Sequence, residues 1–305
     1  MNEQSLGGMR VDELSMADLT AQRFIQDYRN RGKPVVITDF IKPSVDWDLN
    51  FLCGHLGDDE YLVRHYGEGH FAKPRHLWTK YCDHLMMTMT AFAACIQDGS
   101  AKIKHLYLAQ SPIGHTEAAK SIATELSFLT RDLGLEPAIR GATLNVWVGP
   151  AGHAEPLHFD PGDGTLIQLH GSKKVILFPP EQTAYLYPFG FYDTLPFWVS
   201  QVNIDNPDLD KHPDYSKAKQ HRYELVLNPG QLLYIPTHWW HEVIALGDGY
   251  VCSCNHFWKV RPFWRNFNSS RSIVMLLMNR LPWHWVLRFN RFIFKLKKLL
   301  SGNRA

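Results

Sequence analysis

Apolar residues follow two rhythms along this chain. Near the start, Leu19, Phe24, Ile25 and Tyr28 recur at helical spacing, with Ser15 as a candidate cap and Gly32 as a stop. Val35–Phe40 (VVITDF) then reads as a short buried strand. Helical spacing returns at 88–98 and 116–133. From residue 142 the pattern changes to short β-branched or aromatic runs: ATLNVWVG, EPLHFD, TLIQLHG, KKVILFPP, YELVLNPGQLLYIP, HEVIAL and GYVCSCNHFWKV. Gly-Pro, Pro-Gly and Asp-Gly turns separate them. Many short strands at this spacing predict a mainly β fold with flanking helices, a barrel or sandwich rather than a parallel α/β sheet. The polar, irregular stretch 193–222 reads as a long insertion between strands.

Composition adds a boundary. The 305 residues are 45% hydrophobic and 20% charged, which excludes disordered and fibrous classes. Net charge is +2, yet residues 261–305 hold ten Lys/Arg and no acidic residue, so 1–260 is acidic. This predicts a main domain over 1–260 and a basic, apolar extension over 261–305. The five cysteines form no C-x-x-C pair, which argues against a disulfide framework or a cysteine-rich zinc site. No apolar run is long enough to span a bilayer, the first residues lack an export pattern, and a cytoplasmic location is expected.

The chemistry concentrates at His158-Phe159-Asp160. Residues two apart on a strand share a face, so an imidazole and a carboxylate project together. Pro236-Thr237-His238-Trp239-Trp240-His241 offers a further imidazole after a strand. Two histidines and one carboxylate suit a non-haem Fe(II) site with open positions. A structural zinc site needs four closed ligands instead. Cys252 and Cys254 share a strand face with His256 and read as packing, as do Trp147, Trp239, Trp240 and Trp258.

These motifs come in a telling order. VVITD with WDLNFL, HLYLAQ, EPLHFD, IQLHGSKKVILFPPEQ with LYPF, NPGQLLYIPTHWWHEV and HFWKV follow one another between about residues 33 and 260. In this the chain resembles the Jumonji-C/cupin-like family of Fe(II)- and 2-oxoglutarate-dependent oxygenases, most closely its asparaginyl hydroxylase branch that inhibits hypoxia-inducible factor. The resemblance implies a double-stranded β-helix, a jelly-roll barrel. It implies His158, Asp160 and His241 as metal ligands and catalytic centre, with Fe(II), 2-oxoglutarate and O2 as cofactors. It implies Lys173 and Tyr107 as contacts to the far carboxylate of 2-oxoglutarate, and His256 as an inward-facing residue at an asparagine position. Two positions depart from the pattern: Glu155 stands where that branch has a threonine, and Gly164 where it has an asparagine. Either Glu155 points away, or another donor replaces the hydroxyl.

The expected activity is hydroxylation of a side chain in a protein or peptide. Lysine demethylation is disfavoured by the lack of an accompanying reader module. A small-molecule or tRNA-base hydroxylase and a catalytically silent binding barrel are the alternatives. In the extension, Arg288, Arg291, Lys295 and Lys298 form one helical face, and Trp285, Phe289, Phe292, Ile293, Leu296 and Leu300 the other. A homodimer interface is the first expectation for it, ahead of a membrane surface or nucleic acid.

Overall fold

The computed structural model describes residues 9–41, 46–80, 82–138, 144–190 and 196–267. The expected tail helices at 273–281 and 284–300, and the dimer surface they were to form, lie outside the described residues.

Thirteen strands follow in order. They are β1 (Asp12–Ser15), β2 (Val35–Thr38), β3 (Glu60–His65), β4 (Asp83–Thr88), β5 (Leu106–Pro112), β6 (Asn145–Pro150) and β7 (Ala154–Phe159), then β8 (Asp163–His170), β9 (Lys173–Phe178), β10 (Tyr223–Leu227), β11 (Leu232–Ile235), β12 (Trp240–Ala245) and β13 (Tyr250–Trp258). A nine-stranded sheet runs β1-β2-β11-β8-β13-β6-β5-β3-β4, and a four-stranded sheet runs β10-β9-β12-β7. Every pairing except parallel β1–β2 is antiparallel. The sheets pack face to face through Val36, Leu166 and Leu233 of the larger and Val175, Leu177 and Val243 of the smaller.

The helices that carry Leu52, Met89, Ile122 and Leu129 lie on the outer face of the larger sheet, whereas Tyr215–Lys219 packs on the smaller one beside Phe178. Leu52, Met89, Phe92, Ile122 and Leu129 share one buried core with Ile167, Cys252, Cys254 and Trp258. The helix expected at 88–98 spans Met89–Gln97, with Thr88 accepting a bond from the Ala91 amide. The one expected at 116–133 is broken into Glu117–Lys120 and Ala123–Arg131. At the break the Ser121 hydroxyl bonds back to the Ala118 carbonyl. Ser15 is not a helix cap: its backbone pairs with Thr38, and Thr20 caps the first helical residues instead. That element is a short turn, Ala21–Arg23, continued by a π-helix over Phe24–Arg29.

Residues 261–267 belong physically with the barrel. Arg265 makes a two-pronged bond to buried Asp163 at 2.8 and 2.9 Å. Asp163 also accepts from the Tyr234 hydroxyl and the Thr237 amide. It therefore pins the turn that leads into His241.

Candidate active site

His158 on β7 and His241 on β12 are direct cross-strand partners, and their ring centroids lie 4.2 Å apart. The ring Nδ1 of His158 donates to the Pro156 carbonyl at 2.7 Å, and that of His241 to the Trp239 carbonyl at 3.0 Å. Each Nε2 is therefore the ring nitrogen left facing the centre of the triad. Asp160 follows His158 by two residues and places Oδ2 3.5 Å from His241 Nε2. The ligand atoms of the three residues lie within 4.8 Å of one another. Burial opposes ionisation of Asp160, but the His241 bond and the two imidazoles bring its carboxyl below the usual range. Burial, then His241, pushes the His158 imidazole down, which favours the neutral, ligating form. Two nitrogens, one carboxylate oxygen and an open side fit a divalent iron-type ion.

The triad opens on a cavity of about 490 Å³ between the two sheets. Lys173 lies in it, 4% exposed, and donates to the Ser253 hydroxyl across the sheets at 2.5 Å. No carboxylate pairs with it among the described residues. Burial pulls its ammonium down to about 8. A sunken cation with one hydroxyl partner has room for an anion, so the cavity fits a dicarboxylate as well as a metal. Lys174, on the opposite face, pairs with Glu224. The β8–β9 turn that presents Lys173 needs Gly171: its φ is +64°, and a side chain there meets the Tyr250 carbonyl at 2.9 Å.

Tyr107 lines the same cavity from β5. Its ring stacks on His153 at 3.5 Å and lies over Gly149, where a Cβ would come within 2.1 Å of it. Its hydroxyl has no hydrogen-bond partner among the described residues and is available as a donor.

His256 is a correction. It lies on the outer side of the larger sheet, stacked on Trp258 at 4.2 Å, and lines a separate groove near Ala119 and Leu126. Cys252 and Cys254, on its strand face, are buried in the outer core. Alternation then turns Ser253, Asn255 and Phe257 inward, so Asn255 takes the cavity position expected of His256. Its Oδ1 accepts from Trp147 Nε1 at 2.9 Å. Trp147, expected as packing, is also part of the cavity wall.

Glu155 does point inward. Strict alternation would turn it away from His158, three residues on. However, the β7–β12 register shifts here: residues 155 to 158 run opposite 243 to 241, which places one extra residue on β7. Its Oε1 accepts from Arg64 at 2.8 Å and lies 3.3 Å from His153 Nε2. Burial resists the charge, but Arg64 above all, then His153, holds the carboxyl down at about 2. His153 Nε2–H donates to it, so Nδ1 accepts from His105 Nε2–H at 2.8 Å. Arg64, His153 and the cavity role of Trp147 escaped sequence reasoning, and Asn255 was expected to face away from the cavity.

Comparison with known proteins gives a consistent picture. A family model described as a cupin-like domain matches residues 21–262. Lysine-specific demethylase 8 of Xenopus tropicalis is 40% identical over 248 residues, 78% of this chain and 50% of that protein. Lysine-specific demethylase JMJ30 of Arabidopsis thaliana is 30% identical over 254 residues, 80% of this chain and 54% of that protein. HSPB1-associated protein 1 of Homo sapiens is 39% identical over 111 residues, 36% of this chain and 22% of that protein. The chain thus spans about half the length of the first two relatives and less of the third. These matches support the Jumonji-C family at large, not its asparaginyl hydroxylase branch in particular.

Proposed function

The chain belongs to the cupin-like, Jumonji-C domain family, and from that premise we propose that it is an oxygenase acting on a side chain of a protein or peptide. Its cofactors are Fe(II), 2-oxoglutarate and O2. One observation carries the reading: an open triad of His158, Asp160 and His241 shares its cavity with the buried ammonium of Lys173.

When bound, the iron with 2-oxoglutarate and O2 supplies the oxidising power that puts one oxygen atom into a C–H bond, the second leaving in succinate. The protein's part is placement. His158, Asp160 and His241 hold the metal on one side, and the carbonyls of Pro156 and Trp239 fix the two rings. Lys173 anchors the far carboxylate of the co-substrate, with the Tyr107 hydroxyl as a second donor. Trp147, Trp198, Val243 and Phe257 form an apolar wall that keeps water from the reacting carbon.

Hydroxylation of a side-chain carbon is the product we favour. Demethylation is the second reading, motivated by the lysine-specific demethylases among the relatives. Both use one chemistry, since a hydroxylated N-methyl group leaves as formaldehyde. The test is mass spectrometry of a peptide library, methylated and unmethylated, with Fe(II) and with 2-oxoglutarate supplied or withheld. A co-substrate-dependent gain of one oxygen supports hydroxylation, and loss of a methyl group supports demethylation. No succinate above the His158→Ala background, with any peptide, rejects both. For assembly we propose a homodimer through residues 261–305. Light scattering of the full chain checks it, and a monomer mass rejects it.

A further inference from the structure

The cavity contains a second cation that the scheme above leaves unused. Arg64 sits on β3 directly opposite Tyr107, so both side chains enter from the larger sheet. Its Nη1 is occupied, donating to Glu155 Oε1 at 2.8 Å and to the Tyr66 hydroxyl at 3.3 Å. Nε and Nη2 have no hydrogen-bond partner among the described residues, and neither is a sealed, orphaned atom. The guanidinium carbon lies 5.9 Å from the Trp147 ring centre, and the side chain is 22% exposed. Arg64 thus lines the cavity and keeps two donor nitrogens uncommitted.

Glu155 explains why a second cation is there. Its carboxylate shares the cavity with Lys173 and is felt electrostatically by Lys173, His158, Asp160 and His241 alike. Alone, it would repel any dicarboxylate that Lys173 attracts. One nitrogen of Arg64 cancels that charge, and the planar guanidinium has further donors in a fixed fork suited to a carboxylate. The support behind Glu155 is rigid: His153 holds it, and His105 holds His153. Among the described residues lining the cavity, Lys173 and Arg64 are the lysine and arginine present.

We propose that Arg64 is a second carboxylate-binding residue of this cavity, which with Lys173 takes the far carboxylate of 2-oxoglutarate through the donors that Glu155 leaves open. This rests on the oxygenase reading given under the proposed function. In this arrangement Glu155 is a positioning residue: it orients the guanidinium and does not touch the ligand.

The test uses the full chain loaded with Mn(II) and two titrants, 2-oxoglutarate and 2-oxopentanoate. The second has the same metal-chelating head and lacks the far carboxylate. The double variant Arg64→Met/Glu155→Gln removes both charges and so strands neither. It is expected to weaken 2-oxoglutarate by about tenfold or more, and to leave Mn(II) and 2-oxopentanoate affinities within about twofold. Binding of 2-oxoglutarate within about twofold of wild type overturns the proposal, because the pair then serves only itself. Arg64→Lys is the second variant, should the double variant not fold: it keeps the positive charge beside Glu155 and loses the fork of further donors. 2-Oxoglutarate is expected to weaken by about threefold or more with 2-oxopentanoate unchanged, and unchanged 2-oxoglutarate binding overturns the proposal. If wild type binds both titrants equally, or neither, the 2-oxoglutarate reading itself falls, and Arg64 with it.

Discussion

Lys173 is the residue whose environment makes the sharpest claims. Only its charged form attracts a carboxylate, and burial holds that form to below about pH 8. Affinity for 2-oxoglutarate is therefore expected to be flat below about pH 8 and to fall about tenfold per unit above it, as calorimetry across pH 6–10 can show. Stability of the ligand-free chain runs the other way. Between about 8 and the ordinary 10.5 the unfolded chain binds the extra proton, so stability rises with pH across that window. Lys173→Met removes both trends. Gly149 makes a second claim at this scale. Ala at 149 drives a Cβ into the Tyr107 ring, and such overpacking costs about 1–3 kcal/mol, read as a lower denaturation midpoint. The sequence pointed to His158, Asp160 and His241 because their types and order are chemical, and the fold brings the three together. It did not reveal the neighbour that neutralises Glu155, since Arg64 lies 91 positions away and only folding brings it near.

Among elements, β13 shows what alternation can and cannot tell. Its two-residue period was readable, and Cys252, Cys254 and His256 were rightly placed on one face. Which face looked inward was not readable from that strand. The strand carrying His241 belongs to the other sheet, and β8 pairs with β13 through a register irregularity at Cys252 and Ser253. Only the helices packed on the outer side decide the matter. The turn Phe263–Phe267 carries the other element-scale lesson. Its arginine counted as part of a basic tail, although it is 4% exposed and clamps Asp163 beneath the His241 turn. Arg265→Met leaves a buried carboxylate uncompensated and is expected to cost about 3–5 kcal/mol. Asp163→Asn with Arg265→Met recovers part of that. Chemical denaturation of the single and double variants checks the pair.

For the whole molecule, the two sheets divide the work. The smaller one supplies Glu155, His158, Lys173 and His241; the larger supplies Arg64, Tyr107, Trp147 and Asn255. Strand content and the general architecture were legible, because short alternating runs with turn residues between them admit few other folds. The partition of strands between sheets was not, as it depends on pairings between distant segments. A metal that binds only the assembled triad must stabilise the entire fold by mass action, by about 4 kcal/mol at a thousandfold excess over its dissociation constant. Mn(II) is accordingly expected to raise the melting temperature of the full chain, EDTA to reverse the gain, and His241→Ala to abolish it.

The additional residue between Glu155 and His158 lets this wall turn both side chains to the cavity. In an ordinary strand, gaining or losing one residue inverts every side chain beyond the event. Here the kink absorbs it: positions two or three apart can both look inward, depending on whether the kink is present.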